Sequence, residues 1–146
     1  MTKILAISEA NAIAFHAMAL IAKSEIAINA TDIADITGSS KHHTSKVLQR
    51  LVKNGLLGST RGPSGGFYLK KPAQEIILID ILEALEGTVE VNDCPIDNTF
   101  CPFGTCLMGG ICIEIGETMV KYLKDHSLQD ILNNIPNGID LFNQKK

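Results

Sequence analysis

The chain has 146 residues, of which 45% are hydrophobic, and a formal net charge of −3. That is enough for one domain with a real core, or a small domain with an appendage, and too apolar for a disordered chain. No apolar run reaches the ~18 residues that cross a bilayer. The best candidate, AIAFHAMALIA after Asn11, is short and carries His16, and Glu9 stands where the apolar stretch of an export signal would begin. The expectation is a cytoplasmic protein whose cysteines stay reduced.

In chain order, Ser8 with Glu9 caps a first helix to about Ala22, its small apolar residues Ile13, Ala14, Ala17, Met18 and Ile21 set for close packing. His16 within it reads as a buried, satisfied histidine. Asn29 to Thr37 reads as a short second helix that buries Ile33, Ala34 and Ile36 and stops at Gly38. Ser40 caps a third helix, Lys41 to Asn54, whose Val47, Leu48, Leu51 and Val52 form an inward stripe. Two short helices joined by a glycine turn, the second with a polar and basic start, make a helix-turn-helix. In that motif the start of the second helix reaches base edges, which selects Ser39, Ser40, Lys41, His42, His43, Ser45 and Lys46.

Leu56 to Thr60 and Phe67 to Leu69 read as short strands around Arg61-Gly62-Pro63-Ser64-Gly65-Gly66, a β-hairpin wing. Arg61, Gly62, Pro63, Ser64 and Gly65 are its candidate DNA contacts, with Arg61 placed for a phosphate or the minor groove. The glycine-rich turn lacks the Gly-Lys-Ser/Thr ending and following helix of a nucleotide cradle. Charge distribution agrees with DNA. Between Asp35 and Glu75 there is no acidic residue, while Lys41, Lys46, Arg50, Lys53, Arg61, Lys70 and Lys71 fall there.

After Pro72 the run IILIDILEALEG predicts a fourth helix, ended by Gly87 and packed on the first. All four cysteines follow within 94–112, in CPIDNTFCPFGTCLMGGIC. The spacing Cys94-x6-Cys101-x4-Cys106-x5-Cys112 lacks the close pairs of structural zinc. Wider loops of thiolates broken by proline and glycine suit an iron–sulfur cluster. Zinc, thiol redox switching and plain burial stay open on spacing alone. A long helix then carries Met108, Ile111, Cys112, Ile115, Met119, Tyr122 and Leu123 on one stripe. That stripe needs another surface, most simply a second copy in a two-fold dimer. Ser127 to Asp130 predicts a capping-box start for a last short helix to about Asn133.

Taken together, GSTRGPSGGFYLKKP, IILIDILEALEG, the cysteines and the long helix resemble the Rrf2 family of winged-helix regulators, over about Ser8 to Leu132. AFHAMALIA, LVKNGLL and YLKDHSLQDIL fall where the family has equivalents, and Arg61-Gly62-Pro63 with Gly65-Gly66-Phe67 is its most specific signature. The resemblance implies a homodimer that binds promoter DNA, with its long helices crossed at the interface. It also implies an iron–sulfur cluster, 2Fe–2S or 4Fe–4S, held by a cysteine loop beside those helices.

By that resemblance Cys94 and Cys106 occupy the first and third cysteine positions, and Cys101 the middle one, displaced by a single residue. The fourth ligand departs from the pattern. Some members have a His three residues after the third cysteine, where this chain has Gly109. Others use a carboxylate near the N-terminus, at a position matching Ala12; Glu9, one turn earlier, is the nearest acid. Cys112 is the other candidate, although the stripe places it on the buried face of the long helix.

The chain therefore reads as mainly α with a small β-hairpin. A winged helix-turn-helix fills 1–90, a cysteine-rich cluster loop 91–107, and a dimerisation helix with a C-terminal helix 108–146. The expected function is a DNA-binding transcriptional regulator that senses redox state, nitric oxide or iron–sulfur status. One alternative keeps the fold and makes the cysteines thiol sensors or the regulator partner-responsive. Another, a small iron–sulfur electron carrier, leaves the basic span unexplained. No nucleophile–base pair argues for an enzyme.

Overall fold

The computed structural model describes residues 7–91, 101–137 and 139–143. The elements run α1 (Glu9–Lys23), α2 (Ala30–Thr37), α3 (Lys41–Lys53), β1 (Leu57–Thr60), β2 (Gly66–Leu69), a 3-10 turn (Ala73–Glu75), α4 (Leu78–Glu86), α5 (Ile111–Asp125) and α6 (Leu128–Asn133). The fold is mostly helical with one antiparallel hairpin, paired Leu57 to Leu69, Gly58 to Tyr68, Ser59 to Phe67 and Thr60 to Gly66.

Local chemistry sets the helix ends. The Ser8, Asn29, Ser40 and Ser127 side chains each accept an N–H of the first turn they cap, which offsets part of the donors a helix start leaves unpaired. At Ser127 the box is reciprocal, since Asp130 accepts from the Ser127 backbone. Gly38 closes α2 in the left-handed conformation, φ 71°, and turns the chain into α3.

The core gathers on α1. Ala14, Ala17 and Met18 are fully buried there, and the small residues let α3 and α4 approach closely. Ile33, Leu48, Leu51, Ile76 and Ile81 are also completely enclosed, each contributing about 1.5–3 kcal/mol by leaving water. α6 packs against α1 and the 3-10 turn. It is stitched there by backbone bonds in which Leu78 N–H donates to His126 and Leu128 N–H to Ile76.

Several expectations shift. His16 is exposed, not buried: the helical phase turns it away from Ala14, Ala17 and Met18, and its Nδ1 lies 2.7 Å from the Ala12 carbonyl oxygen. Ile36 and Val52 are half-buried rather than enclosed. α4 starts two residues into the predicted run, because Ile76 and Ile77 are spent on extended backbone that pairs with 127–128. α5 starts at Ile111, leaving Met108 in the preceding turn, and Cys112 is exposed. Within this chain the stripe that was expected to need a second surface is open, with only Leu123 of α5 buried, so Cys112 has no cover from its own chain.

Candidate nucleic-acid interface and cysteine segment

The turn between α2 and α3 is fixed by three hydroxyls. Thr37 Oγ1 donates to the Ile33 carbonyl at 2.8 Å and lies 2.7 Å from Ser39 Oγ, which lies 2.7 Å from Thr44 Oγ1. Thr44 is fully buried, so the chain of hydroxyls pins the start of α3 onto α2 from inside. Two of the predicted base-reading residues thus have structural duties: Ser39 joins this chain, and Ser40 Oγ accepts the His43 N–H at the helix start. Thr44, skipped by pattern reading, is the residue that anchors the turn. Its signal was a threonine on the same face as Val47, Leu48 and Leu51.

The outward face of α3 presents Lys41, His42, Lys46, Gln49, Arg50 and Lys53 to solvent, with His43 and Ser45 half-exposed. His43, Lys46, Gln49, Arg50 and Lys53 line, with Ala10 of α1, a shallow open groove of about 420 Å³. Within it His43 Nδ1 lies 3.8 Å from a carboxylate oxygen of Glu9. Such an exposed pair contributes about 1 kcal/mol at most.

On the wing, Arg61, Gly62, Pro63 and Ser64 are exposed and Gly65 is half-exposed. The base of the hairpin carries a contact the sequence pattern did not show. Ile28, in the α1–α2 connection, forms an antiparallel bridge to Phe67, with N–H to O distances of 3.2 and 2.8 Å in the two directions. The bridge brings the chain so close to Gly66 that a Cβ there would stand 2.6 Å from the Ile28 carbonyl carbon. Only glycine fits.

Cys94 lies outside the described residues. Cys101 and Cys106 are free, exposed thiols at the starts of two tight turns, in which Gly104 N–H donates to the Cys101 carbonyl at 3.2 Å and Gly109 N–H to that of Cys106 at 3.0 Å. Cys112 is exposed in the first turn of α5. Among the described residues no three His, Cys, Asp or Glu side chains come together as a metal site. The donor chemistry nonetheless suits a soft-metal cluster: reduced, accessible thiols on turns that place glycine rather than a bulky side chain beside them. Such ligands converge when the metal supplies the free energy to draw them together. Glu9 faces α3, beside His43. Both sides of the segment meet α5: it runs directly into Ile111, while Val91 packs on Gly116, where a Cβ would stand 2.8 Å from Val91 Cγ1.

The carboxyls held below their ordinary range lie elsewhere. Asp125 is lowered by its bond to Lys121, Asp130 by the Ser127 backbone and hydroxyl, and Asp140 by Asn143 and the Phe142 N–H. No helix among the described residues is long and apolar enough to cross a membrane.

The profile of the Rrf2 family, described as an iron-dependent transcriptional regulator, matches residues 7–134. The regulator IscR of Photorhabdus laumondii is 32% identical over 104 residues, 70% of this chain and 63% of that protein, so the match spans under two thirds of the relative. IscR of Klebsiella pneumoniae is 29% identical over 124 residues, 80% of this chain and 76% of that protein. Among solved structures, CymR, described as the global cysteine regulator of B. subtilis, superposes with a TM-score of 0.72 at 24% identity, covering 91% of this chain and all of that one. IscR of T. potens superposes at 0.70 and 22% identity, covering 92% and 95%. At those identities the likeness is one of fold, the winged helix. With the family profile matching nearly from end to end, the chain belongs to the Rrf2 family of transcriptional regulators.

Proposed function

We propose that this chain is a cytoplasmic homodimer that binds promoter DNA and adjusts its affinity through the cysteine segment. The observation that carries the DNA half is the span from Ile36 to Gln74, which holds seven cations and no acid and supplies both α3 and the wing. Lys41, Lys46, Arg50, Lys53 and Arg61 give salt-dependent phosphate contacts, while His42, His43 and Ser45 at the start of α3 face base edges. A second copy covers Ile111, Ile115, Met119 and Tyr122 of α5, and two recognition helices then address half-sites about 34 Å apart.

For the sensing half, Cys94, Cys101 and Cys106 hold an iron–sulfur cluster; the candidates for its fourth position are Cys112, which competes with a place in the α5 seam, and Glu9, which faces α3. When bound, the cluster supplies an iron centre responsive to oxidants and nitric oxide. What the chain itself contributes is the connection: the segment runs into Ile111 and packs through Val91 on Gly116, so tying or freeing its thiols bears on α5 and the spacing of the two reading heads.

Anaerobic purification and reconstitution test this half directly. The expected result is bound iron and sulfide with visible absorbance, lost in Cys94→Ala, Cys101→Ala and Cys106→Ala and retained in Cys112→Ala if Cys112 is a seam residue. Colourless protein without iron or sulfide sinks the cluster. A second reading, in which the thiols themselves sense oxidation, is favoured by the exposure of Cys101, Cys106 and Cys112. It predicts colourless protein whose DNA affinity changes with a thiol oxidant.

A further inference from the structure

The outer face of the hairpin carries a contact that the DNA-binding reading does not use. Strand alternation directs Leu57, Phe67 and Leu69 to the core, and therefore puts the cross-strand pair Gly58 and Tyr68 on the opposite face. A Cβ on Gly58 would stand 2.3 Å from Tyr68 Cζ and 2.5 Å from the phenol oxygen. The ring is thus folded across the ladder onto the bare α-carbon of Gly58. Gly58 is buried as a result, while Tyr68 keeps 45% of its surface exposed.

A glycine inside a strand weakens it, since it gives the partner strand no side chain to pack and loses the most backbone entropy. An aromatic ring laid over that glycine restores the missing contact. The repair matters here because a two-stranded hairpin is marginal by itself. On one side the Ile28 bridge braces β2 at Phe67. The only residue facing Tyr68 across the ladder is Gly58, and Arg61 follows the last residue of β1 directly. Any change in twist or register between the strands moves Arg61.

We propose that Tyr68 is a positioning residue for the wing. Its ring, closed on Gly58, sets the twist and register of β1 against β2 and so the place where Arg61 meets DNA; the proposal rests on the DNA-binding reading above. Tyr68 acts through the hairpin and not by a hydroxyl contact to a phosphate.

The test is a double-mutant cycle read by DNA affinity on the full-length protein, using promoter fragments from its own genome that it retains. Tyr68→Phe, which keeps the ring, matches the wild type. Tyr68→Ala weakens binding roughly 3–5-fold, the upper part of what an aromatic cross-strand pair contributes. On an Arg61→Ala background the same substitution has less than about a 2-fold effect, because the two residues act as one unit. Gly58→Ala, which displaces the ring, reproduces Tyr68→Ala. Equal losses in both backgrounds, or a loss in Tyr68→Phe as large as in Tyr68→Ala, overturn the proposal. Amide exchange in the DNA-free protein is the independent readout. Tyr68→Ala, and the bulkier control Tyr68→Leu, speed exchange across 57–60 and 66–69 with α1 and α3 unchanged, and unaltered exchange in the strands also overturns it. A wild-type chain that retained no DNA would refute the functional reading, and the exchange result would still decide the role of Tyr68.

Discussion

The hydroxyl chain Thr37–Ser39–Thr44 makes a prediction that separates a structural serine from a base-reading one. Ser39→Ala removes the partner of Thr44 Oγ1, whose residue is fully buried and has no route to water. A buried hydroxyl left unpaired costs about 1–3 kcal/mol. Thr44→Val keeps the shape of the buried side chain and removes the hydroxyl itself. Half-exposed Ser39 can then turn to solvent or keep Thr37, so the cost falls to about 0.5–1.5 kcal/mol. Combining the two deletes both ends of one bond, and the double variant is therefore less destabilised than the sum and close to Thr44→Val alone.

Thermal and urea melts of the four proteins measure this, with a shift of about 3–4 °C expected per kcal/mol at this chain length. Unchanged denaturant slopes would show that the folded and unfolded states stay comparable. The reasoning is refuted if Ser39→Ala melts like the wild type and instead changes which DNA sequence is bound, for then the hydroxyl faces a base and not Thr44. Strict additivity in the cycle would equally sink it.

Three further outcomes follow from the same geometry. Arg61→Ala lowers the slope of log affinity against log salt by roughly 1 per wing, about 2 per dimer, with little change in sequence preference; a salt slope equal to the wild type's would remove Arg61 from the phosphate contacts. Gly66→Ala forces a Cβ to within 2.6 Å of the Ile28 backbone, which cannot be relieved by a rotamer. It therefore opens the Ile28–Phe67 bridge at a cost of about 1–3 kcal/mol, seen as faster amide exchange at Phe67, and a neutral substitution would disprove the bridge. Asp130 is held ionised by the Ser127 backbone and hydroxyl, so its folded pKa lies below the unfolded one. The stability it adds is complete above the ordinary carboxylate range and disappears as pH falls through the lowered value. The advantage of the wild type over Asp130→Asn in melting temperature thus holds at neutral pH and closes in acid, whereas a gap that widened in acid would contradict the capping box.

What could be read in the sequence was what short-range chemistry decides. The Ser8, Ser40 and Ser127 caps, the Gly38 turn and the hairpin each depend on residues within a few positions of one another, and each formed as expected, while Asn29, read as the first residue of α2, is its cap. The exposed cations of α3 and the wing were legible for a similar reason: charge has almost nowhere to go but the surface. The packing of α4 on α1 was legible from their apolar faces, but single backbone contacts between distant segments were not. Ile28 pairs with Phe67, and Ile77 with Ser127, through single bridges that leave no period in the sequence. His16 was misplaced because its neighbours are apolar on both sides, so composition hid the helical phase that turns it outward. Thr44 was passed over for the opposite reason: it is polar at the foot of an inward stripe, and only the neighbouring hydroxyls explain its burial.

The packing of α5, set beside that of α1, bears on the role of Cys112 in a way that cysteine spacing does not. Both helices have 15 residues, yet α1 buries seven of them and α5 only Leu123. A helix of that length is marginal in water without a packed face. Within this chain α5 leaves Ile111 41%, Met119 37% and Tyr122 51% exposed, with Cys112 beside Ile111 at its start. The dimer proposed above uses that apolar face, and Cys112 would then meet the partner helix as a small, weakly polar thiol. Cys101 and Cys106 stand before the helix, at the starts of two turns outside its apolar face. A thiol closed into the seam is withdrawn from a cluster on the loop. The two duties of Cys112 therefore compete, and the exposed apolar face of α5 favours the seam.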